Sequence, residues 1–311
     1  MSNVLVSTKN MSKSNWLKWR SKGLGGSDAA CICGINKYKS PVELWMEKTG
    51  QIKPKESGEA AYWGTILEPI VRKEFSLRSN LKVKIIKSML QHSKYDFMLA
   101  NLDGVVIDPE CGECIFEAKT ASVFKSDQWK DDNIPQEYML QIQHYMAVTG
   151  YNKTYIAVLI GGNQFKYKVV ERDDELINML IKLEEDFWEH VVTNTPPPMD
   201  GSEASKELLN KLYPLSNAKT QIILPDESIN LINQYELSKD KEKEACEMKE
   251  EAVNKLKIML GDFECGNSND RTVLWKSYES EKLDTKKLKE EQPDIYSRYI
   301  TKSQLRRFSI K

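Results

Sequence analysis

The segment from Leu102 to Lys119 constrains the fold more than any other part of the sequence. It reads LDGVVIDPECGECIFEAK, which is one β-prone run, a turn-forming run and a second β-prone run. The turn-forming residues 108–113 combine Pro and Gly with acidic side chains, a composition typical of chain reversals. The segment therefore predicts an antiparallel β-hairpin.

This hairpin would bring chemically reactive groups together. Antiparallel pairing places Asp103 and Glu117 at the same end of a sheet, and Lys119, two residues further on, shares a face with Glu117. Two carboxylates beside an ammonium are costly unless a divalent cation neutralises them, and Mg²⁺ prefers oxygen ligands. Lys119 could position or deprotonate an attacking water. The arrangement is typical of a metal-dependent nuclease.

The carboxylate-x-Lys pattern alone is weak, because Glu247-x-Lys249 and Asp284-x-Lys286 also satisfy it. Glu247 lies in a charged helical run and Asp284 in a polar connection, whereas apolar residues flank Glu117. Even so, spacing alone is explained equally well by an ordinary strand with a surface ion pair, which contributes little to stability. The rest of the chain has to decide between these interpretations.

Composition sets modest limits. The chain has 311 residues, of which 29% are charged, yet its net charge is −1. Overall charge thus neither requires nor excludes nucleic acid, so a DNA-binding field would have to be local. The sequence has no long apolar run, and its polar start MSNVLVSTKN lacks the apolar centre of a secretory signal. A cytoplasmic protein without a membrane partner is expected.

Six cysteines raise the alternative of a metal site, since Cys31-x-Cys33 and Cys111-x-x-Cys114 have ligand-like spacing. The first pair lies in an apolar helical stretch, where cysteine is a small core residue. The second pair falls at the hairpin turn, where a zinc knuckle would need ligands from elsewhere. The three histidines are scattered, so no histidine-based site is predicted.

The order of predicted elements indicates an α/β core with a mixed sheet flanked by helices. Ser40-Pro41-Val42-Glu43 is a helix start, and further helices are predicted over 62–77, 136–148 and 174–191. Strands are predicted over 83–87, 97–100, 155–160 and 165–170, besides the hairpin.

The proline run at 196–198 marks the predicted end of this core, which gives domains 1–200 and 201–311. The extension is predicted to be mainly helical, with an arm or helical hairpin starting near Asp226. A helix with one face packed on the core is favoured there over a coiled coil, because the apolar pattern covers few heptads. The basic and aromatic tail, which includes Lys302, Arg306, Phe308 and Lys311, could bind a phosphate backbone or be a solvated charged end.

Four motifs in order carry a resemblance to a known family. They are Trp19–Gly50, WGTILEP at Trp63–Pro69, LDGVV with FEAK, and YMLQIQHYMAVTG at Tyr138–Gly150. This set resembles the YqaJ-type viral recombinases, which are related to lambda exonuclease. The resemblance covers residues 15–195, and the tail also looks like the end of longer family members.

The resemblance implies a restriction-endonuclease-like PD-(D/E)xK fold and a 5′-to-3′ exonuclease. Such an enzyme degrades linear double-stranded DNA to mononucleotides and leaves a 3′ single strand for recombination by strand annealing. It uses one or two Mg²⁺ ions, with Mn²⁺ as a substitute. The implied assembly is a cyclic homo-oligomer, and the implied partner is a single-strand annealing protein.

The resemblance also implies functions for individual residues. The metal ligands it implies are Glu68, Asp103, Glu117 and the Ala118 carbonyl. Lys119 is implied as the catalytic lysine and Gln141 as a residue near the scissile phosphate. Leu102 precedes Asp103 where some family members have Pro.

Arg20 and Ser27 are implied to hold the 5′-phosphate. Independently of the resemblance, Gly25-Gly26-Ser27-Asp28 opens a helix whose free N–H groups can bind a phosphate. The simpler interpretation is that Ser27 or Asp28 caps the helix and that Arg20 is a surface cation. Trp16, Trp19, Tyr62 and Trp63 are expected to pack in the core, with stacking on frayed bases as the alternative.

Two other functions remain open at this stage. One is a PD-(D/E)xK nuclease of other polarity, or an endonuclease. The other is a DNA-end-binding recombination scaffold without turnover. The complete set of Glu68, Asp103, Glu117 and Lys119 argues against the scaffold, which has no need of a carboxylate-lysine cluster.

Overall fold

The computed structural model describes residues 2–56, 58–216, 221–301 and 306–310. The chain divides into two compact units, residues 1–212 and 213–311. The boundary predicted at residue 200 falls before helix α7 (Glu203–Leu212), which belongs to the first unit. Leu208 of this helix is part of the first unit's hydrophobic core. The proline run therefore ends a helix without ending the unit.

A five-stranded mixed sheet forms the centre of the first unit. Its strand order is β3-β6-β7-β8-β9, in which β7 and β8 are parallel and the other neighbours antiparallel. The strands are β3 (Val83–Lys84), β6 (Gly104–Asp108), β7 (Gly112–Ala121), β8 (Lys153–Ile160) and β9 (Gln164–Glu171). This sheet confirms the predicted α/β class with a mixed sheet.

The predicted hairpin is β6 and β7. Gly104 pairs with Phe116, and Asp108 pairs with Gly112 across the turn. Gly112 has φ +81°, a left-handed conformation that side chains other than glycine adopt only at a cost. The turn composition in the sequence thus corresponds to a real backbone requirement.

Helices cover both faces of this sheet. Helix α4 (Glu59–Ser79) packs Phe75 against Phe116, with ring centroids 5.0 Å apart. On the opposite face, helix α5 (Gln136–Thr149) packs against a core that contains Ile115. Since alternate residues of a strand face opposite sides, Glu117 shares the face of Ile115 and points toward α5.

A second sheet of four strands completes the first unit, with order β1-β4-β5-β2. Its strands are β1 (Ser2–Ser7), β2 (Leu24–Gly25), β4 (Ser88–His92) and β5 (Met98–Ala100). The remaining helices of the unit are α1 (Lys13–Arg20), α2 (Gly26–Ile32), α3 (Pro41–Lys48) and α6 (Asp174–Val192). Ser40 caps α3 by accepting a hydrogen bond from the Glu43 N–H at 3.2 Å, as the sequence predicts.

The second unit is mainly helical, as predicted. It contains α8 (Ser228–Leu260), a hairpin of β10 (Cys265–Ser268) and β11 (Arg271–Leu274), and the short helices α9 (Thr285–Glu291) and α10 (Pro293–Tyr299). Among the described residues of α8, Leu260 at its C-terminal end is buried.

The tail of the second unit folds back within that unit. Arg306 donates a hydrogen bond to the Tyr213 carbonyl at 3.3 Å, and Phe308 packs edge-on against Tyr235. Lys302 and Lys311, which the phosphate-gripping interpretation also used, lie outside the described residues. Across the described ranges, every helix is too short or too polar to cross a bilayer.

Candidate active site

The hairpin places Asp103 and Glu117 in one cavity. Asp103 stands just before β6, and its Oδ2 accepts a hydrogen bond from the Ala118 N–H on β7 at 2.9 Å. This bond fixes the Asp103 carboxylate beside the strand that carries Glu117. Both side chains line a cavity of about 630 Å³, which Ala118 and Lys119 also line. The cavity is large enough for part of a nucleotide.

A hydrogen-bonded triangle holds the catalytic candidates in place. Lys119 Nζ donates to Glu117 Oε1 at 2.7 Å and to Gln141 Oε1 at 2.9 Å. The Gln141 amide closes the triangle by donating to Glu117 Oε1 at 2.7 Å. Gln141 projects from α5, so helix and strand jointly fix the lysine. The structure thus brings Gln141 to the other predicted residues.

Burial and like charges set the acidity of the carboxyls. Burial, followed by the nearby charge of Asp103, raises the pKa of Glu117 to about 8, although Lys119 opposes the shift. Burial also raises the pKa of Asp103 above its usual value. Carboxyls with raised pKa values that converge in a cavity are typical of functional sites.

Glu68 reaches the same cavity from α4, one residue before Pro69. Arg72, one turn further along, donates to Glu68 Oε1 at 2.9 Å and to the Asp103 carbonyl at 2.9 Å. Burial and Asp103 raise the pKa of Glu68. Arg72 therefore ties the third carboxylate to the hairpin, and the i,i+4 spacing of Glu68 and Arg72 in the sequence could have indicated this.

The residues present fit a hard divalent cation. Glu117 Oε2 is buried and has no hydrogen-bond partner among the described residues. An orphaned carboxylate oxygen inside a protein is costly, and a cation would satisfy it. The oxygens of Glu68, Asp103 and Glu117 surround the cavity without forming a closed shell. Among the described residues, three ligand atoms lie within 4.8 Å of one another only at Asp108, Cys111 and Cys114.

The predicted phosphate-binding residues form a second cluster, at the start of α2. The Arg20 guanidinium contacts Ser27 Oγ and lies 3.2 Å from Asp28 Oδ1. Lys48 lies 2.9 Å from Asp28 Oδ2. Burial would raise the pKa of Asp28, but Lys48 and Arg20 lower it well below its usual range. Two cations share one carboxylate, which leaves the cluster with one excess positive charge.

Close packing connects this cluster to the cavity. A Cβ added at Gly26 would lie 2.6 Å from the Tyr145 ring and 2.9 Å from the Gln141 carbonyl. The helix that carries Ser27 therefore starts directly against α5, and only glycine permits this approach. Arg20 is mostly buried, so the simple interpretation of a solvated surface cation is wrong. Asp28 is the capping residue at the third helical position, with Gly25 as the N-cap.

The expected core packing of the aromatic residues on α4 is wrong. Tyr62 and Trp63 are 56% and 51% exposed, and their rings meet edge to face at 5.6 Å. Their neighbours Ala61 and Gly64 line the cavity. Trp16 and Trp19 are half-buried. The α4 pair thus offers flat apolar surfaces beside the cavity.

Several cavity residues were not predicted from the sequence. Tyr138 places its ring 4.7 Å below Lys119 Nζ, and Tyr145 accepts a hydrogen bond from the Gln141 amide at 3.2 Å. Their spacing from Gln141 on one helix was a usable signal. The residues Ser122, Lys125 and Gln128 come from the 3₁₀ helix after β7 and its N-cap. No motif marks them, since a loop brought them to the cavity.

A mixed sheet between two helices, with Glu117 and Lys119 on one strand and Asp103 beside it, has the arrangement of the PD-(D/E)xK fold. A model of the YqaJ-like viral recombinase domain matches residues 15–152. The YqaJ protein of Bacillus subtilis (strain 168) is 43% identical over 312 residues, covering 99% of this chain and 97% of that protein. The chain therefore belongs to the YqaJ family of viral recombinases.

Solved structures share this fold. An alkaline exonuclease from Laribacter hongkongensis superimposes with a TM-score of 0.50 at 20% identity, covering 66% of this chain and 100% of that one. The same exonuclease in complex with dAMP gives a TM-score of 0.50 at 22% identity. The fold prediction is thus confirmed, and family membership supports a nuclease function in recombination.

Proposed function

We propose that this protein is a Mg²⁺-dependent 5′-to-3′ exonuclease that degrades linear double-stranded DNA to mononucleotides. The 3′ single strand that remains would serve recombination by strand annealing. The observation that carries the proposal is the buried, unpartnered Glu117 Oε2 beside Asp103 and Lys119 in one cavity. The similarity to a viral recombinase domain and to an alkaline exonuclease supports it.

The side chains divide the chemistry of phosphodiester hydrolysis. Asp103, Glu117, Glu68 and the Ala118 carbonyl would hold one or two Mg²⁺ ions, with Mn²⁺ as a substitute. When bound, the metal lowers the pKa of water and neutralises charge on phosphoryl and leaving oxygens. Lys119, whose ammonium donates a hydrogen bond to Gln141 at 2.9 Å, would orient the attacking water. Arg72 keeps Glu68 beside Asp103 while leaving Glu68 Oε2 available.

The cluster at the start of α2 would determine which bond is cut. Arg20 and Ser27 can donate to a terminal 5′-phosphate, and the excess positive charge of Arg20 and Lys48 over Asp28 favours a dianion. Contact between Gly26 and Gln141 sets a short distance from this cluster to Lys119. A phosphate bound there would hold the next phosphodiester at the carboxylates. Each cleavage would then release one nucleotide.

Arg20→Ala is expected to remove the preference for a phosphorylated end. The wild-type protein should digest a duplex with a 5′-phosphate about ten to a hundred times faster than one with a 5′-hydroxyl, because a charged bidentate contact contributes about 1.5–3 kcal/mol. Digestion rates on the two duplexes measure this ratio. Lys18→Ala, an exposed cation on the same helix, is the matched control. If the ratio is unchanged in Arg20→Ala, Arg20 does not bind the 5′-phosphate.

The Mg²⁺-induced gain in Tm is expected to grow with pH. A carboxyl with a raised folded pKa binds its proton more tightly in the native state, so metal-free stability falls as pH rises from the usual 4.5 toward about 8. Mg²⁺ competes with that proton. The gain should be small near pH about 6 and largest near pH about 9.

Thermal melts across this range, with and without Mg²⁺, provide the measurement. Glu117→Gln should flatten the pH dependence, whereas Glu110→Gln, at the exposed hairpin turn, should retain it. A gain in Tm that is the same at every pH in the wild-type protein would contradict the assignment of Glu117 as a ligand.

The proposed assembly is a cyclic homo-oligomer in the cytoplasm that encircles DNA and works with a single-strand annealing protein. A ring confers processivity without strong base contacts, and closed symmetry is the common outcome for homo-oligomers. Sedimentation should give one species of several chains. A monomer that digests long duplexes without dissociating would contradict the ring.

A further inference from the structure

The hairpin turn carries a second chemical cluster that the proposed nuclease chemistry does not use. Cys111 Sγ lies 2.9 Å from Cys114 Sγ, and all six cysteines, which lie in the described residues, are free thiols. The two sulfur atoms are closer than ordinary non-bonded contact and further apart than a disulfide bond of about 2.05 Å. A small movement of the turn would bring the two sulfur atoms within the distance of a disulfide bond.

The two thiols have different access to solvent. Cys111 is exposed at the turn, whereas Cys114 on β7 is fully buried. Burial, together with neighbouring Cys111, raises the pKa of Cys114. Cys111 is therefore the thiol that a dissolved oxidant can reach first, and the buried Cys114 lies beside it as the second thiol.

The surrounding groups favour thiol chemistry over metal binding. Asp108, the third member of the cluster, already accepts hydrogen bonds from the Glu110 N–H at 2.7 Å, the Cys111 N–H at 3.3 Å and the Tyr155 hydroxyl at 2.5 Å. Lys153 lies 3.5 Å from the same carboxylate. A metal ion bound to Asp108 would have to displace this ammonium, so the cluster is better suited to thiol chemistry.

We propose that Cys111 and Cys114 are a peroxide-oxidisable dithiol that closes to a disulfide at the turn of the β6–β7 hairpin. The first step is attack of the Cys111 sulfur on hydrogen peroxide. The O–O bond breaks, Cys111 becomes a sulfenic acid, and one water leaves with the thiol proton. Cys114 sulfur then attacks Cys111 sulfur, the S–O bond breaks, and the hydroxyl leaves as water with the Cys114 proton.

The disulfide has a defined place relative to the candidate active site. Cys114 lies on the strand that carries Glu117, and it packs with Phe116 in the core beneath α4. Closure at the turn would leave this packing in place and would keep the exposed Cys111 from passing to sulfinic or sulfonic acid. The inference does not depend on the proposed nuclease function.

Peptide mass analysis of the full-length protein tests this proposal. The protein is treated with hydrogen peroxide, its remaining thiols are alkylated, and it is digested with trypsin, which leaves both cysteines in the peptide 95–119. We expect this peptide to be unalkylated, two hydrogens lighter than the dithiol form, and restored by dithiothreitol. The peptides with the exposed Cys246 and Cys265 should be alkylated.

Variants make the outcome specific. Cys246→Ser should leave the disulfide unchanged, whereas Cys114→Ser should allow Cys111 to pass to sulfinic or sulfonic acid. Because Cys111 is exposed, Cys111→Ser tests the pair without disturbing the core. The proposal fails if both thiols are alkylated as fully as Cys246 after peroxide. It also fails if the purified protein carries one zinc ion per chain that Cys111→Ser removes.

Discussion

Glu117→Gln is expected to lower the rate of duplex cleavage by at least about 10²–10³-fold, the usual loss when one preorganised electrostatic group is removed from a site. The substitution keeps the size of the side chain and removes the charge that a divalent cation needs. It also removes the carboxyl whose pKa burial and Asp103 raise. Cleavage is measured with saturating Mg²⁺ on a linear duplex.

Duplex binding by this variant should stay within a few-fold of the wild-type protein, because most contacts to DNA are made by other groups. Glu110→Gln, on the same hairpin but at its exposed turn, is the control and should cleave at the wild-type rate. If Glu117→Gln cleaves as fast as that control, the carboxylate does not take part in the reaction. The assigned active site would then be wrong.

His144→Leu is expected to destabilise the protein by about 3–5 kcal/mol, the usual cost of leaving one partner of a buried ion pair uncompensated. His144 and Glu184 are fully buried. The imidazole Nδ1 lies 2.8 and 3.0 Å from the two Glu184 oxygens, and Nε2 lies 2.9 Å from the Leu99 carbonyl. A carbonyl only accepts, so Nε2 carries a proton.

The state of this pair follows from its partners. Burial lowers the pKa of His144, but Glu184 and the hydrogen bonds raise it more, so the pKa lies above its usual value. The imidazolium therefore joins α5, which carries Gln141, to α6 and to β5. Urea unfolding of His144→Leu measures the loss, with Glu185→Gln on the exposed side of α6 as the control.

The double variant His144→Leu/Glu184→Leu distinguishes the ion pair from simple packing. Removing both partners leaves no buried charge, so it should regain part of the stability that the single variant loses. If the double variant instead loses as much stability as His144→Leu and Glu184→Leu lose together, the two residues do not interact. The cleavage rate of His144→Leu should fall below that of the wild-type protein only at temperatures where the variant begins to unfold.

Local signals account for the parts of the fold that the sequence predicts. The turn residues 108–113 and the flanking alternation define β6 and β7, and the Ser40-Pro41 start defines α3, because each depends on neighbouring residues. Strands β1 and β4 and helix α1 were not predicted. They are short, and β1 pairs with β4 from more than eighty residues further along the chain, which no local pattern indicates.

In the candidate site, too, the residues that one local segment carries could be predicted, and those that tertiary contacts bring together could not. Asp103, Glu117 and Lys119 could be predicted because one hairpin carries them. Lys125 and Gln128 could not, since the segment after β7 brings them to the cavity without any motif of its own. The end of the core was predicted at residue 200 from the proline run. Helix α7 follows that run and buries Leu208 in the core through contacts distant in sequence, which no local pattern indicates.

The polarity of cleavage is measured by digesting one linear duplex, labelled either at its 5′ or at its 3′ ends, beside a closed circle of the same sequence with Mg²⁺ present. We expect that mononucleotides are released from the 5′ ends first, that the 3′-labelled strand stays long, and that the circle remains intact. Cutting of the circle would indicate an endonuclease, and release from the 3′ ends would indicate the opposite polarity. Binding of the linear ends without any cleavage would leave a recombination scaffold instead of an enzyme.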